Sequence, residues 1–315
     1  MTTVLDLAGG TGGGAGRFRQ QYLRYAEEKA LPAAAALGLE AHVTPWWLAR
    51  REILARDAEK VVAANNVSFV SAGRCRWTLL RNANHFLSPA EWQATRSQLG
   101  RGFAAQRRMV HLAAHRSEVL VVPSTSMADR VAARLPRLAD RLVVRFHPLQ
   151  APARQVAAGS RAASILCPIV NSPYKNLVDR LELLQRALGD RAIRVTSTIH
   201  ATEASASLRS DERFSFVGVL DRDSLRREYD AARAVYYPTS VESFGYPLAE
   251  ARAQGMPVIA QDTAHNREIA GHALFGYRPD NAPSLSEAVD GALGARLDPD
   301  PAPFEPVPYF DWLVA

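Results

Sequence analysis

Short apolar runs alternate along the chain with segments whose apolar residues recur at helical spacing, so strands and amphipathic helices are expected to take turns. Thr2 to Leu7 has the length of a buried strand. The turn Gly9-Gly10-Thr11-Gly12-Gly13-Gly14-Ala15-Gly16 follows, and a helix is expected from about Arg17. Strand, glycine turn and helix make the opening of a βαβ unit. Trp77 to Leu80 is strand-like. Ser88-Pro89-Ala90-Glu91 combines an N-cap serine, a proline at the first helical position and a glutamate at the third, a capping box that predicts the start of a long helix. Glu118 to Val122 and Leu142 to Phe146 supply two further strands.

The periodicity fades between Leu149 and Ser160, which reads as a linker, and a second α/β series begins. Its strands are expected at Ser164 to Val170, Ile193 to Ile199, Phe214 to Val219, Ala234 to Tyr237 and Pro257 to Gln261. Its first helix carries Leu177, Leu181, Leu184 and Leu188, with Gly189 as the stop. From Asp298 to Pro308 the prolines argue against regular structure, and an extended tail is expected before Tyr309 to Val314 docks. The pattern therefore predicts two doubly wound, Rossmann-like α/β domains, 1–150 and 151–297, facing a central cleft, with a proline-rich tail at 298–315. No repeat of about 20–50 residues suggests a solenoid.

Composition narrows the class. Of 315 residues, 47% are hydrophobic and 22% charged, which supports buried cores and argues against disorder. Cys75 and Cys167 are too few for a disulfide framework or a cysteine-rich zinc site, so a reducing, cytoplasmic home is expected. The glycine-rich start lacks a basic leader and no apolar run reaches the ~18 residues of a membrane span, although peripheral membrane contact stays open. A net charge of +6 would suit an anionic partner, yet no basic block or zinc-finger spacing points to nucleic acid.

The densest candidate chemistry is Tyr237-Pro238-Thr239-Ser240-Val241-Glu242-Ser243-Phe244-Gly245-Tyr246-Pro247-Leu248-Ala249-Glu250. It reads as strand end, loop and helix start, with Pro247 in the first turn and Gly255-Met256-Pro257 as the stop. The amides of Ser243 to Tyr246 and Leu248, at the positive end of a helix, suit a diphosphate. Glu242 and Glu250 could flank one ligand and accept hydrogen bonds from sugar hydroxyls.

This segment resembles the glutamate, seven residues, glutamate motif of retaining glycosyltransferases with the GT-B fold, specifically family four. Ile165 to about Leu274 is similar to the family's donor domain, including Tyr236-Tyr237-Pro238 before the motif and Pro257-Val258-Ile259-Ala260 after it. The resemblance implies that Glu250 holds the ribose of a nucleotide-sugar, UDP- or GDP-linked, and Glu242 the transferred sugar. The backbone from Ser243 through Phe244, Gly245 and Tyr246 to Leu248 would receive the diphosphate. It further implies that Lys175, in Asn171-Ser172-Pro173-Tyr174-Lys175, neutralises the leaving group. The family's usual arginine about five residues before that lysine is replaced by Val170, so either Asn171, Ser172 or a remote arginine substitutes as donor contact, or donor handling is weakened. His85 could face the crevice, as a first-domain histidine does in related enzymes, or serve as a capping or surface histidine, and Gly12, Gly13 and Gly14 would let backbone approach donor phosphate or acceptor. An acceptor with a free hydroxyl, a small molecule, lipid or glycan, completes the reaction.

Other constellations are weaker. His111 and His115 have metal-pair spacing without a third ligand, and Asp221-Arg222-Asp223 suits a helix N-cap, so neither metal nor a resident cofactor is expected. The alternatives are an NAD(P)-dependent oxidoreductase using the N-terminal glycine loop, a non-catalytic nucleotide- or carbohydrate-binding relative, and sugar transfer to DNA.

Overall fold

The computed structural model describes residues 2–10, 13–100, 102–150, 163–169, 175–239 and 241–315. Gly12, Val170, Asn171 and most of the expected linker lie outside the described residues. Contacts divide the chain into two compact units: one reaches Gln150 and takes in Glu242–Phe244 and Pro303–Ala315; the other runs on to Val241 and takes in Gly245–Ala302.

The first unit runs β1 (Thr3–Asp6), α1 (Gly13–Glu28), β2 (Ala36–Leu37), α2 (Pro45–Leu54), β3 (Lys60–Ala63), β4 (Cys75–Leu79), α3 (Pro89–Thr95), α4 (Phe103–Ala114), β5 (Val119–Val122), α5 (Thr125–Arg134) and β6 (Leu142–Val144). The strands form one parallel sheet in the order β2-β1-β3-β4-β5-β6. Such a sheet needs helices on its faces, which is why Val61, Val62, Leu120 and Val122 read as apolar runs and lie buried. The helix after the glycine turn starts at Gly13, four residues before the expected Arg17. The capping box forms as expected, with Ser88 Oγ accepting from Glu91 N and Glu91 Oε2 from Ser88 N, but its helix ends at Thr95 and a separate α4 begins at Phe103.

The second unit runs β7 (Ser164–Cys167), α6 (Leu177–Leu188), β8 (Arg194–Ser197), α7 (Ala206–Ser210), β9 (Phe214–Phe216), α8 (Arg222–Ala231), β10 (Ala234–Tyr237), α9 (Tyr246–Ala253), β11 (Val258–Gln261), α10 (Ala264–Ala270), β12 (Leu274–Tyr277) and α11 (Ala282–Gly294). Its parallel sheet has the order β12-β11-β10-β7-β8-β9. Counted from its own first strand this is 3-2-1-4-5-6, the doubly wound order of nucleotide-binding domains, with the winding direction reversing between β7 and β10.

The proline-rich tail differs from the extended strap read in the sequence. A 3₁₀ turn at Ala302–Phe304 leads into α12 (Pro306–Val314), part of the first unit. Pro306 and Pro308 sit in the first turn, where a helix has no internal partner for its N–H groups, so the missing donors cost nothing. The helix buries Tyr309, Phe310 and Leu313 against Leu5, Phe18, Tyr22 and Leu79. Removing a side chain such as Phe310 from water contributes about 1.5–3 kcal/mol.

Candidate functional site

In the second unit, β10 pairs with β7 through Ala234 to Ile165 and Val235 to Leu166, and the carboxyl ends of these two strands flank the reversal of winding. Loops at such a point diverge to opposite faces of the sheet and leave a depression where ligands settle. Two sequence-predicted groups follow these strands. Lys175, half-buried, follows β7 and exerts its charge on the Cys167 thiol at the end of that strand. Burial nonetheless pushes that thiol up to about 12, so it stays protonated and unreactive. The second group is the start of α9, which follows β10.

Gly245 forms the N-cap of α9 with a φ of +81°, the left-handed region where a side chain is strained. No side chain caps this end, Pro247 has no N–H, and the Leu248 N–H is already spent on the Gly245 carbonyl at 2.9 Å. Leu248 therefore drops out of the expected set of amides offered to a diphosphate, while its buried side chain packs under Gly245. Tyr246 is buried. Glu250 is the fifth residue of α9, one position beyond the first turn, half-buried, and its Oε2 accepts a hydrogen bond from the Tyr229 hydroxyl at 3.0 Å.

Glu242, Ser243 and Phe244 belong to the first unit. Ser243 Oγ donates to the Arg81 carbonyl at 2.7 Å, and the Ser243 carbonyl accepts from Ser124 Oγ at 2.9 Å. Phe244 is buried and meets His147 edge-on at 5.2 Å between ring centroids. These anchors fix the loop that carries the half-buried Glu242. Gly13 and Gly14 are exposed in the first turn of α1.

His85, expected to face the crevice, is buried in the first unit. The 3₁₀ turn Ala83–Phe86, capped by Asn82, tucks the side chain inward to 1% exposure and stacks it on Phe103 at 5.1 Å. Burial, helped by the neighbouring His111, lowers its pKa to about 4, so the imidazole is neutral at pH 7. The His85 carbonyl accepts from Arg107 Nε at 3.0 Å and His111 Nε2 at 2.7 Å, so His111 is half-buried and His115 alone of that pair is exposed. Asp221 caps α8, its carboxylate accepting from Ser224 N at 2.8 Å as its sequence position suggested. Among the described residues no cluster of histidine, cysteine, aspartate and glutamate could hold a metal ion, and no helix is long and apolar enough to cross a membrane.

Two parallel-sheet, Rossmann-like domains of this kind are the fold of GT-B glycosyltransferases, and the lipopolysaccharide outer core galactosyltransferase WaaB shares it with a TM-score of 0.64 over 99% of this chain and 97% of its own, at 13% identity. WaaG, a glycosyltransferase involved in lipopolysaccharide biosynthesis, matches with a TM-score of 0.61 over 93% of this chain and 90% of its own, also at 13% identity. Residues 201–298, which include Tyr229, Glu242 and Glu250, match the model of the glycosyl transferases group 1 family. The D-inositol 3-phosphate glycosyltransferase of Mycolicibacterium vanbaalenii is 30% identical over 55% of this chain and 40% of its own length. The aligned stretches cover only 19% to 40% of the curated relatives' lengths.

Proposed function

We propose that this chain is a retaining glycosyltransferase that moves a sugar from a nucleoside diphosphate to an acceptor hydroxyl without a metal ion. The observation that carries the reading is the convergence of Lys175 and the start of α9 on the carboxyl ends of β7 and β10, where the sheet reverses its winding. Both are positive, one as a full charge and the other as a helix end, and a diphosphate is the ligand that such a pair selects. The family match over 201–298 supports the same chemistry.

In this reading Lys175 and the backbone of Ser243 to Tyr246 hold the diphosphate and stabilise the charge that develops on it as the anomeric C–O bond breaks. Glu250 accepts the ribose hydroxyls, and Glu242 those of the transferred sugar. The acceptor oxygen bonds to the anomeric carbon on the face the diphosphate leaves, and its proton passes to a departing phosphate oxygen. Gly13 and Gly14 offer backbone to donor or acceptor. His85, neutral and buried, shapes the acceptor side by supporting Phe103.

A panel of UDP- and GDP-sugars tests the reading through thermal stabilisation, because a ligand that binds only the folded state raises the unfolding midpoint. Transfer to an acceptor, with the product's anomeric configuration read by NMR and EDTA added in parallel, then tests retention and metal independence. NADH belongs in the same panel. Stabilisation by it and by no nucleotide-sugar would replace this reading with an oxidoreductase.

A further inference from the structure

Helix α8 is charged along most of its length, and the residue it buries is Tyr229, 4% exposed. A buried tyrosine satisfies its apolar ring by packing and must still find a partner for its hydroxyl. Here the partner is a carboxylate on another helix: Tyr229 donates to Glu250 Oε2 at 3.0 Å. A glutamate has three rotatable bonds, and a contact that narrows its rotamers before binding reduces the ordering that ligand binding must supply.

We infer that Tyr229 is a positioning residue for the donor site: its hydroxyl holds the Glu250 carboxylate in the orientation that receives the ribose hydroxyls of a nucleoside diphosphate. The inference rests on the reading of Glu250 as the ribose contact. The carboxylate can accept about four hydrogen bonds, so one taken by Tyr229 is compatible with one or two from a ribose. The tyrosine bond also orients the oxygens, so the contact is prepaid before ligand arrives. Tyr229 itself touches no reacting atom in this account.

Isothermal titration of UDP and GDP, each beside its 2′-deoxy counterpart, tests this on the wild type, Glu250→Gln and Tyr229→Phe, with unfolding midpoints measured in parallel. Wild type should prefer the ribose form, and Glu250→Gln should abolish the preference. Tyr229→Phe keeps the ring and loses the hydroxyl. It should weaken the ribose nucleotide by about five- to tenfold and leave the deoxy form nearly unchanged, the size of an ordinary net hydrogen-bond contribution. Preference lost in Glu250→Gln but intact in Tyr229→Phe overturns the role of Tyr229 alone. No preference in the wild type, or an unaltered one in Glu250→Gln, removes the reading of Glu250 on which it stands. Equal weakening of both sugar forms together with a depressed unfolding midpoint would assign Tyr229 to packing and overturn the inference.

Discussion

Arg51 and Asp6 form an ion pair with side chains 1% and 0% exposed. The pair is not isolated: Asp6 Oδ1 also accepts from Ala8 N at 3.0 Å and Trp47 Nε1 at 3.1 Å, while Arg51 Nη2 donates to the Val67 and Ser68 carbonyls at 2.8 and 2.7 Å. The guanidinium lies over the Phe69 ring at 4.2 Å. Asp6 at the end of β1, α2 and the segment after β3 are thereby joined. Removing one partner strands the other charge out of water, so Asp6→Ala should cost about 3–5 kcal/mol in urea unfolding. A loss under about 1 kcal/mol would show that the site rehydrates.

Gly245 is a second point of low tolerance. An added Cβ would stand 3.1 Å from Leu248 Cδ1 and 3.3 Å from Tyr237 Cε1, on a backbone already at φ +81°. Gly245→Ala should destabilise by about 1–3 kcal/mol and weaken nucleoside-diphosphate binding as well, because the strain is relieved by tilting the first turn of α9. Calorimetric unfolding and a nucleotide titration check both; unchanged affinity would separate α9 from the donor.

Lys175 carries the strongest test of the diphosphate assignment. Lys175→Ala should lower kcat/KM for transfer by about 10- to 100-fold, the loss of one charge-assisted contact, with little change in thermal midpoint. Lys175→Arg should restore part of the rate. Loss below about twofold would take Lys175 out of the site.

Acid stability follows from the buried histidines. His85 has its pKa lowered to about 4 by burial and by the charge of His111, and His147 is held well below 6.5 by burial and by Arg81. Below pH 6.5 the unfolded chain binds protons that the folded chain refuses, so stability is full above pH 6.5 and falls as the pH drops toward 4. The slope is about 1.4 kcal/mol per pH unit for each histidine. Glu91, held at about 2 by its bonds to Arg130, adds a loss only below about pH 4.5. Unfolding free energies at pH 7, 6 and 5 check this, and His85→Gln should flatten the curve.

Much of the second unit was legible from pattern alone. The run Ala234 to Tyr237 is the strand the sequence indicated, residue for residue, and Gly189 ends α6 as expected. Apolar runs of four between glycines and polar turns leave few other solutions. The strands β2, β3 and β12 escaped, because two residues of Ala-Leu carry no period, Lys60 masks the buried start of β3, and Gly276 interrupts β12. The tail was misread for a different reason: proline forbids a helix interior but not its first turn, and whether 306–314 coils depends on the pocket waiting for Phe310.

For the site, Lys175 came from the family resemblance, whereas local spacing was enough to nominate Gly245 and Glu250, since a turn, a helix start and a charge are each written within a few residues. Tyr229 and the inward turn of His85 were not, nor was the engagement of the Leu248 amide. Chain order and periodicity by themselves determined that strands and helices alternate in two series and which loop follows which strand. Only tertiary structure decided that β7 lies against β10 and that α8 hands a hydroxyl to α9, because contacts between residues far apart in the chain are selected by packing of the whole fold and leave no local signal.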